Sequence, residues 1–277
     1  MERHTLVVVP TPLGNLGDVT QRALEALRDA ELIVAEDTRV ARKLLNALGI
    51  GPKELWSYRE QNAAGATPGI LERARERRVA LVTDAGMPGI SDPGCELIAA
   101  AREAGVAVDV LPGPSALLGV AVLSGFPLRR FAFEGFPSRA SSARREEFTR
   151  ALGSSMTTIW YESPQRIRST LADLAAVAPD ARVFLVREYT KRFEQQLLGT
   201  PAAVVAALGE PVRGEIAFAI APHESAQAVP EPAELDAEID AALAAGAAPS
   251  DLARTLARRG FGERRPLYKR ITERKPR

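Results

Sequence analysis

Three loops dense in glycine and proline, Pro10–Gly17, Asp84–Gly94 and Leu111–Pro114, each stand directly after a short apolar, β-branched run. Those runs, Thr5–Val9, Val79–Thr83 and Val106–Val110, have the length of single strands. Helical stripes alternate with them. Ala23, Leu24 and Leu27 share one face behind the N-cap types Asp18 and Thr20, and Leu44, Leu45 and Leu48 share another that Gly49 stops. Leu32–Ala35 reads as a further strand and Cys95–Glu103 as a helix that ends at Gly105. Strand and helix in series leave few topologies open, because parallel strands need a crossover and the crossover helix must cover a sheet face. The first part is therefore expected to be an α/β domain, residues 1–123, with a mostly parallel sheet and ligand loops at the carboxyl ends of its strands.

A Ser-Gly-Phe-Pro turn near Ser124–Leu128 interrupts the alternation and opens a second expected α/β domain, residues 124–225. Its strands are placed at Phe131–Glu134, Thr158–Tyr161, Val183–Val186, Glu194–Leu198 and Glu215–Ala221. Helices fit at Ser141–Leu152, Pro164–Ala176 and Pro201–Leu208. Pro222–Pro232 reads as a linker, and residues 231–277 as a small piece of about three helices. The formal net charge is only +1, yet it is unevenly spread. From Glu231 to Asp251 every charged residue is acidic, whereas residues 254–277 hold ten of the 36 lysines and arginines.

Several kinds of chemistry are disfavoured. The histidines are His4 and His223, and the cysteine is Cys95, so a zinc cluster or a histidine-based triad has no material. A lone cysteine makes no internal disulfide, which suits a reducing, cytoplasmic setting. The apolar run Leu6–Val9 is too short to cross a bilayer, and no charged stretch followed by an apolar one opens the chain, so neither membrane anchoring nor a signal peptide is expected. The three loops remain. Eleven residues from Asp84 to Gly94 exceed what a strand-to-helix connection needs. Asp84 sits at a strand tip, where a carboxylate can accept hydrogen bonds from a ribose or an ammonium group. Glu36 stands where dinucleotide-binding folds keep a ribose-binding acid, although the glycine fingerprint is absent. Ser91 or Asp92 could instead cap the next helix with Pro93 at its first position, and Ser115 could be a plain N-cap.

The loops also carry a resemblance. VPTPLGNLGDVTQRAL (Val9–Leu24), AEDTR (Ala35–Arg39), LVTDAGMPGISDPG (Leu81–Gly94) and LPGPSA (Leu111–Ala116) are similar to the tetrapyrrole methylase superfamily. So are FEGF (Phe133–Phe136), YESPQR (Tyr161–Arg166), REYTK (Arg187–Lys191), GE (Gly214–Glu215) and PLYK (Pro266–Lys269). Within the superfamily the match is to the branch that 2′-O-methylates a cytidine of 16S ribosomal RNA in the small ribosomal subunit. The resemblance implies a two-domain class III methyltransferase fold with a small C-terminal helical extension, S-adenosyl-L-methionine as cofactor, no metal and a homodimer. It implies cofactor contacts from Pro10, Leu13, Gly14, Asp84, Gly86, Met87, Ser115, Ala116 and Tyr161. One departure stands out: members of this branch commonly carry a histidine ahead of the asparagine matched by Asn62, whereas this chain reads Tyr58-Arg59-Glu60-Gln61-Asn62.

A ribose hydroxyl is a poor nucleophile at neutral pH and needs a base or a cation that favours its alkoxide. Glu60, Glu188 and Lys191 are the candidates for catalysis, and Asp37, Arg39, Asn62 and Lys269 for holding the substrate, Arg39 and Lys191 being able to grip phosphate. Two other functions compete. A methyltransferase of a small tetrapyrrole-like acceptor calls for a wide apolar trough and no basic appendage. A non-catalytic RNA-binding assembly factor calls for eroded cofactor loops, and here the loops are intact.

Overall fold

The computed structural model describes residues 5–223, 232–258, 261 and 264–274. The chain divides into two compact units, residues 1–223 and 224–277. In the first unit the chain runs β1 (Thr5–Val8), α1 (Gln21–Asp29), β2 (Leu32–Ala35), α2 (Thr38–Ala47), β3 (Glu54–Ser57), α3 (Ala63–Glu76), β4 (Val79–Val82), α4 (Cys95–Glu103), β5 (Ala107–Val110) and α5 (Ala116–Leu123). It continues as β6 (Phe131–Gly135), α6 (Ser141–Gly153), β7 (Thr157–Glu162), α7 (Ile167–Val177), β8 (Val183–Arg187), β9 (Gln195–Gly199), α8 (Pro201–Ala207) and β10 (Ile216–Ile220). The second unit contains α9 (Pro232–Ala244), α10 (Pro249–Arg258) and α11 (Arg264–Arg274).

β1 to β5 form one sheet in the order β3-β2-β4-β1-β5, and every pair in it is parallel. Two of its three inner strands, β2 and β4, are buried along their whole length, as helices on both faces require. One apolar layer gathers Leu6, Leu32, Val34, Ile70, Leu81 and Leu97 on one face, and another gathers Val9, Leu27, Ile33, Leu45 and Val82 on the other. Sequence pattern leaves β3 and α3 unassigned for physical reasons. β3 is an edge strand that is only half-buried, and α3 carries Gly65, Pro68 and Gly69 inside its first two turns, where such residues ordinarily break helices.

The second sheet, β6-β7-β10-β8-β9, lies wholly beyond residue 124 and is built differently. Only β6 and β7 are parallel, and β10 pairs antiparallel with both β7 and β8. Trp160, stacked on Phe218 and edge-on to Phe148, anchors its core. Between α6 and α7 the buried Asp173 of α7 accepts hydrogen bonds from Ser141, Arg144 and Arg145 of α6. α5 is apolar on all sides, yet Leu118 and Val122 are exposed.

Local expectations are corrected in several places. Neither Ser91 nor Asp92 caps α4: its N-cap is Gly94, in a left-handed conformation that frees both side chains. Ser115 occupies the N-cap position of α5 without a capping hydrogen bond, so its side chain is not committed there. The helix expected from Pro164 begins at Ile167. Of the linker Pro222–Pro232, residues 224–231 lie outside the described residues, as does His4.

In the second unit Leu235, Ile239, Leu256, Leu267 and Ile271 form a core of their own. Its acidic and basic stretches meet. Arg270 and Arg274 of α11 pair with Asp236 of α9, at 2.8 and 3.0 Å, and Arg274 also pairs with Asp240. Part of the basic tail is thus neutralised internally, while Arg264, Arg265 and Lys269 stay exposed.

Candidate functional site

A cavity of about 420 Å³ opens where the loops after β1, β2, β4 and β5 meet the ends of β7, β8 and β10. The first and second glycine-rich loops are tied together by a two-residue bridge. Thr11 N–H donates to Gly86 O at 2.9 Å, and Gly86 N–H donates to Thr11 O at 3.0 Å. The Thr11 hydroxyl adds a bond to Thr83 O at 3.2 Å. Gly86 has φ +79°, and a Cβ there would stand 3.0 Å from Leu13 Cδ2, so any side chain would strain the backbone and push Leu13.

Leu13 from the first loop, Asp84, Gly86 and Met87 from the second, Ser115 and Ala116 from the third, and Tyr161 at the end of β7 all line the cavity. Pro10 and Gly14 do not. Pro10 is buried behind the wall against Gly113. Gly14 lies outside it under Lys191, whose Cγ passes 2.2 Å from where a Cβ would be. Tyr161 is edge-on to Phe133 and Phe136, and burial pushes its hydroxyl up to about 12.

Acid groups dominate the walls. Glu36, Asp84, Asp92, Glu162 and Glu215 line the cavity, and no lysine, arginine or histidine does so among the described residues. Glu162 is balanced by Arg166 at 3.2 Å and Glu215 by Lys191 at 3.1 Å. Glu36, Asp84 and Asp92 have no ion-pair partner within 4.0 Å among the described residues. Asp84 Oδ1 accepts only the Asp37 backbone N–H at 3.2 Å. Burial raises Glu36 and Asp84 above the ordinary carboxylate range, assisted in each case by a neighbouring acid. Burial and repulsion from Glu36 push Asp92 up to about 6. Sequence reading missed Asp92, Glu162, Tyr189 and Glu215 as wall residues. An Asp-Pro pair ahead of a helix mimics a cap, and nothing in a single sequence marks the start of β10 as facing the same space as the end of β4.

The other candidates sit on the periphery. Asp37 caps α2 and pairs with Arg39 at 2.6 Å and Arg59 at 3.4 Å, and the Arg39 hydrogen bonds hold its carboxyl far below the usual range. Arg39 is 79% exposed. Asn62 is committed to its turn, accepting from Arg59 N–H at 2.7 Å and donating to Ser57 O at 2.9 Å. Glu60 is exposed in the same turn and does not reach the cavity wall. Lys191 Nζ donates to Glu188 Oε1 at 3.0 Å and to Glu215 Oε2 at 3.1 Å. Burial opposes the Lys191 charge, but these two bonds outweigh it and hold its pKa above the ordinary lysine value. Lys191 is therefore a fixed cation, unsuited to accepting a proton. Glu188, at φ +55°, also accepts the Glu215 N–H, and these bonds draw its pKa down against burial. Lys269 belongs to the second unit, exposed on α11. The Cys95 thiol donates to Gly89 O at 3.1 Å and lies outside the cavity wall.

Among the described residues no group of three or more His, Cys, Asp or Glu is arranged to hold a metal ion, and no helix is long and apolar enough to cross a membrane. The walls suit a nucleoside linked to a small cation: Leu13, Met87, Ile90 and Ile216 offer apolar surface, strand-tip carboxylates face a positive group, and the volume falls in the usual range for small-molecule sites. Comparison with known proteins supplies the context. Residues 5–206 match the family described as Tetrapyrrole (Corrin/Porphyrin) Methylases. The "Ribosomal RNA small subunit methyltransferase I" of Streptococcus pyogenes serotype M1 is 38% identical over 275 residues, covering 96% of this chain and 94% of its own. The protein of the same name from Halalkalibacterium halodurans is 42% identical over 200 residues, 72% of this chain and 69% of its own. Among solved structures, cobalt precorrin-4 methyltransferase, a cobalamin biosynthetic enzyme, superposes with a TM-score of 0.60 at 17% identity, over 79% of this chain and 95% of its own, a likeness of fold.

Proposed function

The chain belongs to the tetrapyrrole (corrin/porphyrin) methylase family, and on that premise we propose that it uses S-adenosyl-L-methionine to 2′-O-methylate a cytidine of 16S ribosomal RNA in the small ribosomal subunit. The observation that carries the reading is the division of charge around one cavity: carboxylates inside it, and Arg39, Arg59 and Lys191 outside its wall. A polyanionic acceptor is repelled by the interior and drawn to Arg39 and Arg59, whose two charges Asp37 balances only once, so the RNA meets the methyl group at the mouth. Near full-length relatives named for ribosomal RNA methylation favour this acceptor over a tetrapyrrole.

When bound, S-adenosyl-L-methionine supplies an electrophilic methyl group on a sulfonium. The chain positions the reactants. In this reading Asp84, Gly86 and Met87, with Leu13, Ser115, Ala116 and Tyr161, form the cofactor wall, Pro10 backs it, and Gly14 leaves room for Lys191 beside it. Lys191, held charged by Glu188 and Glu215, favours the ribose alkoxide or grips the adjacent phosphate, and Arg39 holds the backbone. Glu60 is the open carboxylate for the departing proton, since Glu188 is already engaged. Asp37 and Asn62 fix the turn that carries Glu60 and Arg59. Orientation supplies much of the rate, and no covalent enzyme intermediate forms. A symmetric homodimer fits the exposed apolar side chains of α5, which a monomer would leave in water. Lys269 and its basic neighbours on α11 give the second unit an RNA contact of its own.

Labelled cofactor given to small ribosomal subunits, followed by digestion to nucleosides, tests the reaction. The label is expected in 2′-O-methylcytidine. Label in a base-methylated nucleoside, or none in 2′-O-methylcytidine, overturns the reading.

A further inference from the structure

The five wall carboxylates are not equivalent. Arg166 balances Glu162 and Lys191 balances Glu215, whereas Arg59 and Arg39, which act on Asp84 from a distance, pair with Asp37 and make no ion pair with Glu36 or Asp84. Three carboxylates without an ion pair among the described residues therefore converge on one cavity from three places: Glu36 at the end of β2, Asp84 at the tip of β4, and Asp92 just ahead of α4. Behind them the Thr83 hydroxyl, 4% exposed, lies toward Asp92 without making a hydrogen bond of normal geometry. Carboxylates gathered in one cavity repel one another, and a proton or a cation relieves that repulsion. Among the described residues no wall residue supplies a cation, whereas a cationic ligand brings one.

We propose that Glu36, Asp84 and Asp92 make the cleft select by charge, holding the cationic methyl donor more tightly than the neutral thioether that remains after transfer. The inference rests on the cofactor assignment above and deepens it. Donor and spent product share the adenosine and the amino-acid end, and they differ by one methyl group and one positive charge at sulfur. Apolar contacts barely distinguish them. An anionic wall does, because its attraction for the sulfonium acts on the donor and vanishes for the product, while its terms with the shared amino-acid end stay the same in both. Release of the product then follows from the transfer itself.

The groups that face Asp92 are Glu36, Asp84 and Glu215, all acidic, together with the Thr83 hydroxyl and the Tyr161 phenol. With a pKa near 6, Asp92 loses its charge as pH falls through that value, so selection weakens on acidification.

Calorimetry on the full chain tests this without turnover. The probes are S-adenosylmethionine, S-adenosylhomocysteine and sinefungin, in which a charged amine replaces the methylated sulfur. At pH 7 the wild type is expected to bind both cationic ligands about tenfold or more tightly than S-adenosylhomocysteine, a difference of about 1.4 kcal/mol. The ratio should fall at least threefold or so at pH 5, and similarly at pH 7 in Asp92→Asn, with S-adenosylhomocysteine binding as well as before. Glu36→Gln provides the same comparison if Asp92→Asn does not fold. Equal or tighter binding of S-adenosylhomocysteine by the wild type, or a ratio unmoved by both substitutions, overturns charge selection while leaving the cofactor assignment standing. Failure of all three probes to bind removes the cofactor assignment and the inference with it.

Discussion

The two sheets reach the same cavity by opposite routes. In the parallel sheet every strand points the same way, so the carboxyl ends of β1, β2, β4 and β5 lie on one edge, and their loops gather there without further arrangement. In the second sheet β10 runs against β7 and β8, with Ile216 in register with both Glu162 and Arg187. The edge facing the cavity is therefore assembled from the ends of β7 and β8 and the beginning of β10. One sheet supplies glycine-rich backbone and strand-tip acids. The other supplies side chains fixed by cross-strand pairing, among them Tyr161, Glu162 and the group Glu188, Lys191 and Glu215. Parallel topology clusters loops whatever their sequence, whereas antiparallel topology brings together residues that lie far apart along the chain.

The comparison is most sharply broken in the cores. Asp173→Asn leaves the buried Arg144 without its anion and should destabilise the protein by about 3–5 kcal/mol. Leu81→Ala in the parallel sheet should cost about 2–5 kcal/mol through its cavity. pH separates the two. Burial opposes ionisation of Asp173, but its Ser141, Arg145 and Arg144 hydrogen bonds hold its pKa below the ordinary aspartate value. Its contribution is present above that value and is lost as pH falls through the lower, folded pKa. Denaturant midpoints should therefore show the Asp173→Asn penalty shrinking in acid while that of Leu81→Ala persists.

At the cavity the effects are smaller. Lys191→Met should lower single-turnover methylation by roughly 10- to 100-fold while S-adenosylmethionine affinity changes little, and a parallel loss of affinity would move Lys191 from the chemistry to the cofactor wall. Asp84→Ala should weaken cofactor binding by roughly tenfold in calorimetry, and Ser91→Ala by much less. Equal effects would mean that strand-tip position carries no special weight. The smallest change concerns the helical unit. Removing residues 231–277 should reduce the salt dependence of RNA binding by a slope of about 2, because Arg264 and Arg265 are exposed and Lys269 reaches Glu273 only at 3.9 Å, while Arg270 and Arg274 are closely paired. An unchanged slope would assign the tail to folding alone.

Legibility in the sequence follows the same divide. β1, β2 and β4 are readable because apolar runs bounded by turn residues admit few other readings, and the loops after them announce a ligand edge. β3 and α3 are hidden by exposure and by helix-breaking residues that tertiary packing overrides: Tyr58 at the end of β3 and Ile70 within α3 are buried in the core. The strands of the second sheet are visible, but their directions are not, so Glu215 could not be placed beside Lys191. Asp92 was concealed by its neighbour Pro93. The basic tail was visible as composition, while its pairing with Asp236 and Asp240 needed the fold.

The order β3-β2-β4-β1-β5 also fixes a timetable. β1 is made first, but its neighbours in the sheet are β4 and β5, with Leu6 opposite Val79 and Val108. β2 and β3 can pair as soon as both have left the ribosome, whereas β1 must wait for about 70 further residues, or about 4–15 s at ordinary rates of synthesis. During that interval an apolar strand without partners hangs from the nascent chain. Ribosomal pausing between codons 9 and 79 would lengthen its exposure, and slow decoding beyond codon 110 would allow the parallel sheet to close before the second sheet begins to form.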